Sequence, residues 1–128
     1  MKISLGVNGA CGRMGLRVID VAHADKDVNL AAALETPAHP LLGRDAGELA
    51  GVGTLGLKVI GELPLNTRLD VLIDFSTPEG TMAVLPVCVA RRIPMSRPFV
   101  GRRPLYFAAE FGPRERDVFA LAGPYRTP

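Results

Sequence analysis

The amino-acid sequence predicts an α/β domain in which helices flank a mostly parallel β-sheet. Short apolar runs alternate along the chain with segments of helical periodicity, which is the pattern of strand–helix–strand units. One run, LDVLIDFS at Leu69–Ser76, is apolar on both faces, as a central parallel strand is. The 128 residues, 48% apolar and 22% charged, suit one domain with a packed core rather than a disordered chain.

The first half of the chain supplies three predicted strands and one long helix. KISLGV (residues 2–7) predicts a short buried strand, and RMGLRVIDVAHA (residues 13–24) predicts a largely apolar helix. VNLAAALE (Val28–Glu35) is the second strand. The Gly- and Pro-rich residues 36–56 predict a long loop with room for one turn of helix, and LKVI (residues 57–60) is the third strand.

The second half begins with the fourth strand, Leu69–Ser76, and a helix follows it directly. Thr77 is the expected N-cap and Pro78 occupies the first turn, where a missing N–H does no harm. Pro86 is expected to kink this helix or to mark its end. IPM, residues 93–95, begins a fifth strand, so the predicted order is strand, helix, strand, strand, strand, helix, strand.

A glycine-rich stretch, GACGRMG at residues 9–15, joins the first strand to the first helix. Such a turn lets the backbone approach a pyrophosphate, and the helix N-terminus adds free N–H groups and a positive dipole end. The usual spacing is G-x-G-x-x-G, and Cys11 stands where the middle glycine is usual. Gly9 suits the tight turn, Gly12 lies under the phosphates, and Gly15 allows close helix packing. Arg13 adds a cation beside them.

An acidic residue at the end of the second strand strengthens this interpretation. Glu35 stands 20 residues after Gly15, where an acid accepts hydrogen bonds from the ribose hydroxyls of a dinucleotide. The glycines, the acid and the strand–helix–strand frame together predict a Rossmann-like nucleotide site. The alternative is a glycine turn with a purely structural role.

Four stretches of the chain resemble one enzyme family. GACGRMG, AAALE, LLGRDAGELAGVGTLGLKV and DVLIDFSTPEGTMAVLPVC are together similar to the N-terminal half of the 4-hydroxy-tetrahydrodipicolinate (dihydrodipicolinate) reductases. The resemblance runs from about Lys2 to Met95. It implies an NADH- or NADPH-dependent oxidoreductase of the diaminopimelate route to lysine, in which a hydride passes to a cyclic intermediate to give tetrahydrodipicolinate.

The resemblance also implies roles for single residues. The pyrophosphate is expected to lie against six consecutive positions, and the adenosine ribose against Glu35. Phe75, Ser76 and Thr77 are expected beside the nicotinamide half; Phe75 could equally pack in the core, and Asp74 could cap the loop rather than bind a ligand. The six pyrophosphate positions are Gly9, Ala10, Cys11, Gly12, Arg13 and Met14.

The residues after Glu35 bear on the choice of cofactor. Thr36, Pro37 and Ala38 carry no positive charge, whereas sites that prefer NADPH usually place an Arg there for the 2′-phosphate. Arg13, at the start of the first helix, and Arg44, the nearest cation after Glu35, are the two candidates for contact with a 2′-phosphate. The balance predicts a slight preference for NADH.

The chain changes character near Met95. Residues 1–95 hold nine Lys and Arg and ten acids, whereas residues 96–128 hold six Arg, three acids, four Phe, both Tyr and five Pro. In this tail only Gly101 corresponds to the Gly-Thr-Thr-Gly loop expected over the cofactor. We expect residues 1–95 to be the nucleotide-binding domain and residues 96–128 to be a divergent tail, truncated or read out of frame.

The second domain of the family is expected to be absent from this chain. That domain carries the catalytic residues and the oligomer contacts, so no catalytic residue is assigned here. A catalytically inactive nucleotide-binding module, or a remnant, is the alternative function.

Other classes of protein are disfavoured by the composition. No apolar run reaches the length of a membrane span, and the apolar N-terminal run is too short for a signal peptide, so a cytoplasmic location is expected. An Arg-rich tail alone is weak support for nucleic-acid binding. Cys11 and Cys88 follow no metal-ligand spacing and are expected to be small buried side chains, with no metal site; His23 and His39 are expected on the surface.

Overall fold

The protein is described here by a computed structural model, which covers residues 2–96. Within these residues there are eight elements: the seven that the sequence predicts, in the predicted order, and one additional short helix. The strands and helices, in chain order, are β1 (Ile3–Asn8), α1 (Arg13–Ala24), β2 (Val28–Leu34), α2 (Ala46–Ala50), β3 (Val59–Ile60), β4 (Val71–Asp74), α3 (Pro78–Arg91) and β5 (Met95–Ser96).

All five strands form one parallel sheet in the order β3-β2-β1-β4-β5. The chain builds outward from β1 in one direction through β2 and β3, and then returns to the other side of β1 with β4. The strand order therefore reverses at β1, and the carboxyl ends of β1 and β4 lie next to each other. In open α/β sheets this reversal point is where ligands bind.

The side chains of the strands divide between two cores, one on each face of the sheet. Leu5 and Val7 of β1 face the core beneath α1, whereas Leu72 of β4 faces the core beneath α3. Neighbouring residues alternate between faces because successive side chains on a strand point in opposite directions. Both faces are covered, which confirms the predicted mostly parallel sheet with flanking helices.

The helix after β4 begins as predicted. It continues past Pro86, where the sequence allowed either a kink or the end of the helix. Thr77 is its N-cap and accepts a hydrogen bond from the Gly80 N–H at 3.1 Å. Pro86 does not end it, because α3 continues to Arg91. Pro86 has no N–H, so the Met82 carbonyl one turn earlier has no donor within the helix. Both residues lie on the exposed face of α3, where water can reach that carbonyl. Among residues 2–96, no helix is long and apolar enough to cross a membrane.

The predicted long loop contains α2, which is organised around one carboxylate. Asp45 accepts hydrogen bonds from four backbone N–H groups, those of Gly47, Glu48, Leu55 and Gly56, at 2.8–3.1 Å. The bond from Leu55 contributes most to lowering the pKa of Asp45, and partial desolvation opposes it. Asp45 thus has a structural role and joins the start of α2 to the segment that leads into β3.

Replacing Asp45 with asparagine is expected to lower the melting temperature at neutral pH, because one amide oxygen cannot replace two charged oxygens. Since the pKa of Asp45 is lowered in the folded state, its contribution is complete above the ordinary value of 3.8 and is lost as the pH falls below it. Melting curves of both proteins between neutral and acidic pH measure this. The difference between them should shrink at low pH, and a constant difference would contradict the assignment.

Candidate functional site

The glycine-rich turn leaves the carboxyl end of β1 in the conformation that glycine permits. Gly9 has φ +77°, a left-handed value that side chains other than glycine rarely adopt. The N–H groups of Gly9 and Ala10 both donate to the Leu34 carbonyl at 3.0 Å, and the Gly12 N–H donates to the Gly9 carbonyl at 3.1 Å. These bonds fix the turn against the end of β2. The predicted tight turn at Gly9 is confirmed.

Gly15 and Gly12 differ in what surrounds them. A Cβ atom at Gly15 would lie 2.0 Å from the Gly9 carbonyl oxygen, so α1 approaches the turn too closely for any side chain there. A Cβ atom at Gly12 would meet nothing nearer than the same oxygen at 3.5 Å, an ordinary contact. The fold therefore requires glycine at residue 15 but not at residue 12, which is exposed and has open space beside it.

The N-terminus of α1 offers unpaired donors to that ligand. Gly12 is the N-cap and has no side chain to accept from the first N–H groups, and the first turn contains no acidic residue. Those N–H groups have no acceptor inside the helix, and the helix dipole makes this end positive. Arg13 and Met14 are exposed beside it. A phosphate suits both the geometry and the charge.

Glu35 lies at the edge of this turn, as the sequence predicts. One of its carboxylate oxygens accepts from the Cys11 N–H at 3.1 Å, and the other accepts from the Thr36 N–H at 3.1 Å. Each oxygen retains a second lone pair for a further donor. Burial, followed by the nearby Glu35 carboxylate, raises the pKa of the half-buried Cys11 thiol.

The turn between β4 and α3 lies directly against the glycine-rich turn. A Cβ atom at Gly9 would lie 2.8 Å from the carbonyl group of Phe75 and from the Cα of Ser76. The Phe75 N–H donates to the Asn8 carbonyl at 3.0 Å. The structure therefore brings residues 9–14 and residues 75–77 together at the point where the strand order reverses.

A buried polar network holds the second turn in place. Asp74 is fully buried and accepts from the Ser76 N–H at 2.9 Å and from the Thr81 hydroxyl. The side-chain amide of Asn8 donates to the Ser76 hydroxyl and to the Gly80 carbonyl, both at 3.2 Å. Asp74 thus joins β4 to the first turn of α3, as the capping alternative for this residue implied.

A cleft of about 730 Å³ lies beside these turns, on the α3 side of the sheet. Glu35 and Thr36 line it from the end of β2, and Ser76 and Gly80 line it from the start of α3. Residues 9–14, Phe75 and Thr77 do not line it. The cleft is predominantly apolar and extends along α3 as far as Arg91, which suits a flat, uncharged ring system next to a ribose and a phosphate.

The structure tests the placement of the other predicted residues as well. Phe75 is half-buried and belongs to neither core. Cys88 is buried as expected, but Cys11 is only half-buried. His23 is exposed, whereas His39 is half-buried beside Cys11 and Glu35. Gly101 lies outside the described residues.

Sequence reasoning overlooked two residues that shape the site, Asn8 and Thr81. Asn8 carried a usable signal, since it is a polar residue at the end of an apolar strand, immediately before the turn. Thr81 carried none, because its importance depends on the fully buried Asp74 across the turn.

Comparison with known proteins identifies the family that these residues resemble. A sequence profile described as "Dihydrodipicolinate reductase, N-terminus" matches residues 3–96. A 4-hydroxy-tetrahydrodipicolinate reductase of Magnetococcus marinus is 42% identical over 123 residues, which cover 95% of this chain and 42% of that protein. One from Methylococcus capsulatus is 47% identical over 89 residues, 69% of this chain and 33% of that protein. The chain thus spans less than half the length of both relatives.

Two solved structures share the fold at low sequence identity. An aspartate semialdehyde dehydrogenase with NADP from Candida albicans matches with a TM-score of 0.63 and 14% identity, over 86% of this chain and 32% of that one. A dipicolinate-bound dihydrodipicolinate reductase from Paenisporosarcina sp. TG-14 matches with a TM-score of 0.60 and 16% identity, over 94% of this chain and 43% of that one.

Proposed function

The chain belongs to the dihydrodipicolinate reductase family, and we propose that residues 1–95 are the nicotinamide dinucleotide-binding domain of a 4-hydroxy-tetrahydrodipicolinate reductase. In the full-length enzyme the dinucleotide supplies a hydride to the cyclic intermediate formed by loss of water, giving tetrahydrodipicolinate for lysine biosynthesis. We propose a cytoplasmic location for this pathway step, and oligomer formation through the second domain of the full-length enzyme.

The arrangement of the glycine-rich turn and Glu35 is the observation that carries the proposal. The turn presents the N-terminus of α1 to an anion, and Glu35 presents carboxylate oxygens at the neighbouring edge of the turn. A dinucleotide needs both features at this spacing, because its pyrophosphate adjoins a ribose whose hydroxyl groups are donors. A purely structural glycine turn requires neither an uncapped helix N-terminus nor an acid beside it.

The remaining residues orient the two ends of the dinucleotide. The apolar cleft beside Glu35 and Thr36 accepts the adenine ring, and the turn of Phe75, Ser76 and Thr77 receives the nicotinamide half. The hydrogen bonds of Asn8 and Asp74 hold that second turn against the first. These residues bind and orient; proton transfer to the substrate is left to the rest of the full-length enzyme.

A second function, a nucleotide-binding module without catalysis, predicts the same binding and a different activity. The chain spans 42% and 33% of the length of the two relatives, and its two histidines do not form the paired motif of the family. A turnover assay of the 128-residue chain with the cyclic substrate distinguishes the two functions. Binding of NADH without turnover supports the module, and turnover that saturates with NADH supports a working reductase.

We also propose that the domain boundary lies at residues 95–96, where the composition changes. The match to the Magnetococcus protein covers 95% of the chain, so it extends beyond this boundary, whereas the family profile ends at residue 96. Reading the coding DNA in the two other frames after the Met95 codon tests the out-of-frame origin of the tail. A Gly-Thr-Thr-Gly motif or a later His-His pair in either frame supports that origin, and the absence of both motifs from both frames excludes it.

Calorimetric titration of the chain with NADH and NADPH tests both binding and cofactor preference. We expect NADH to bind several-fold more tightly, because Glu35 repels a 2′-phosphate and Thr36 offers it no positive charge. One unopposed charge contact at a partly wet site corresponds to about 1 kcal/mol. Arg13 and Arg44 are the two cations that could offset this repulsion. Neither forms an ion pair within residues 2–96, and both are exposed to solvent.

Replacing Thr36 with arginine is expected to reverse this preference, and Thr36→Gln serves as the control of similar length without the charge. The gain for NADPH in the arginine variant should diminish as salt is added, since the contact is exposed. Tighter NADPH binding by the unaltered chain that persists at high salt would contradict the argument and identify Arg13 or Arg44 as the phosphate ligand.

A further inference from the structure

Three different metal-ligating side chains meet at the ribose end of the glycine-rich turn. One ligand atom each of Cys11, Glu35 and His39 lies within 4.8 Å of the other two. All three residues are half-buried, and they come from the turn after β1, the end of β2 and the loop that follows. We propose that they form a site for a Zn²⁺-like divalent cation, and that the bound cation excludes the dinucleotide.

The donor set suits such a cation. A thiolate, an imidazole and a carboxylate are the three ligand types that Zn²⁺ takes, and three protein ligands with one water make a four-coordinate site. Hard cations such as Mg²⁺ prefer oxygen ligands alone, so sulfur and nitrogen select against them. Ligand bonds of about 2.0–2.3 Å place tetrahedral donors about 3.5 Å apart, so the three atoms need to approach one another by about 1.3 Å at most.

The local structure allows this approach. The Cys11 N–H and the Thr36 N–H hold the Glu35 carboxylate in place, and each of its oxygens keeps a second lone pair for a cation. The Cys11 sulfur can approach it by rotation about the Cα–Cβ bond. His39 lies in the loop between β2 and α2, where its ring nitrogen Nδ1 accepts from the Leu41 N–H at 3.1 Å. A neutral imidazole has a single lone pair, so metal binding replaces this hydrogen bond with the metal–nitrogen bond. The Cys11 thiol releases its proton to water as the metal–sulfur bond forms.

Exclusion of the dinucleotide follows from shared atoms. Glu35 is proposed to accept from the ribose hydroxyls, and a cation bound to the same carboxylate competes with those hydroxyls for its oxygens. This consequence rests on the proposed function, whereas cation binding itself does not. The fold thus brings Cys11, which stands where the middle glycine of the motif is usual, close to His39. No spacing in the sequence predicts that these two residues meet.

Titration of the untagged 128-residue chain with ZnCl₂, followed by calorimetry, tests cation binding. We expect one cation per chain, and binding of Co²⁺ should give the absorption of a thiolate-ligated tetrahedral ion. Loss of a residue that only supports a metal ligand weakens metal binding about 10- to 100-fold. Cys11→Ser and His39→Gln each remove a ligand, so each should weaken Zn²⁺ binding by more than this. His23→Gln, at an exposed position on α1, is the matched control and should bind as the unaltered chain does. Cys88 remains in every variant, and it is fully buried in the core beneath α3, so it does not provide an alternative ligand.

A second titration, with NADH at fixed Zn²⁺ concentrations, tests exclusion. The apparent affinity for NADH should fall in proportion to Zn²⁺, and His39→Gln should remove this effect while it retains NADH binding. Absence of Zn²⁺ binding, or equal binding by Cys11→Ser and His39→Gln, would overturn the metal site. Simultaneous binding of both ligands would overturn the exclusion. In each of these cases NADH binding by the unaltered chain still stands as a separate result, and so does the proposed function.

Discussion

Replacing Gly12 with alanine is expected to leave the domain folded and to weaken dinucleotide binding, whereas replacing Gly15 with alanine is expected to disrupt the fold. The two glycines are three residues apart in one motif, yet their surroundings differ. At Gly12 an added Cβ reaches only an ordinary contact of 3.5 Å. At Gly15 it would lie 2.0 Å from the Gly9 carbonyl oxygen and 2.9 Å from the Ala10 Cα, both of which are backbone atoms.

Two opposing effects decide the outcome at Gly15. Alanine favours a helix over glycine by about 1 kcal/mol, and Gly15 lies in the first turn of α1. Forcing a methyl group into a filled space costs about 1–3 kcal/mol and sometimes more, and here the obstacle is rigid backbone rather than the end of a side chain. The overlap therefore dominates, and we expect the free energy of unfolding to fall by about 2 kcal/mol or more.

The effect at Gly12 appears in binding instead. Gly12 has φ −76°, which alanine adopts without strain, and an N-cap alanine costs only about 0.5–1 kcal/mol. A methyl group there stands where the pyrophosphate approaches the backbone. We expect NADH affinity to fall about ten-fold or more, equivalent to about 1.4 kcal/mol.

Urea unfolding and NADH titration of both variants measure these effects separately. Gly43→Ala, at a glycine with nothing within 4 Å of the added Cβ but with φ +87°, controls for backbone strain alone. Unchanged NADH affinity in a folded Gly12→Ala variant would contradict the assignment of this glycine to the pyrophosphate.

The sequence motif predicted different roles for these two glycines, close helix packing for Gly15 and phosphate contact for Gly12. The structure confirms the close packing at Gly15, whereas the role of Gly12 stays a prediction. The spacing of the glycines could not show how closely α1 approaches the turn. That distance is fixed by packing of the helix on the sheet, with Ile19 fully buried beneath it.

Element order and type could be predicted because apolar periodicity is strong in this chain, but strand lengths could not. The fourth strand was expected over Leu69–Ser76, and β4 spans only Val71–Asp74. Its ends make other bonds: the Asp70 side chain accepts from the Ser4 N–H, and the Ser76 N–H turns back to Asp74. Leu69 is buried in the core beneath α3 although it lies outside β4, and backbone bonds from Asp70 to Ser4 and from Phe75 to Asn8 still join the ends of the segment to β1.

The long loop before β3 shows where sequence reasoning reaches its limit. Its path depends on bonds to distant residues, such as the Gly43 N–H to the Val59 carbonyl at 2.8 Å and the Ala46 N–H to the Leu57 carbonyl at 2.7 Å. Neither bond has a periodic signal. The position of His39 beside Cys11 is set by the same loop, and for this reason the histidine was expected only as a surface residue.

Replacing Asp74 with alanine is expected to lower the free energy of unfolding by about 2–4 kcal/mol, because it removes two hydrogen bonds to a buried carboxylate. These bonds come from the Ser76 N–H and the Thr81 hydroxyl, and a hydrogen bond to a charged group contributes about 1.5–3 kcal/mol. Urea unfolding measures the loss, and Glu62→Ala, which removes an exposed carboxylate, should change stability by less than about 0.5 kcal/mol.

Asp74→Asn separates the hydrogen bonds from the charge. The asparagine oxygen can still accept from the Ser76 N–H. Its amide nitrogen can donate to the Thr81 hydroxyl oxygen, since that hydroxyl has a second acceptor in the Thr77 carbonyl at 3.1 Å. The Ser76 N–H and the Thr81 hydroxyl then both keep a partner, and we expect a loss of only about 1 kcal/mol, the difference between a charged and a neutral hydrogen bond. A loss in Asp74→Asn as large as that in Asp74→Ala would show that the negative charge, rather than the hydrogen-bond pattern, stabilises the turn. In that case the network of Asp74, Ser76 and Thr81 would not explain how the second turn is held against Gly9.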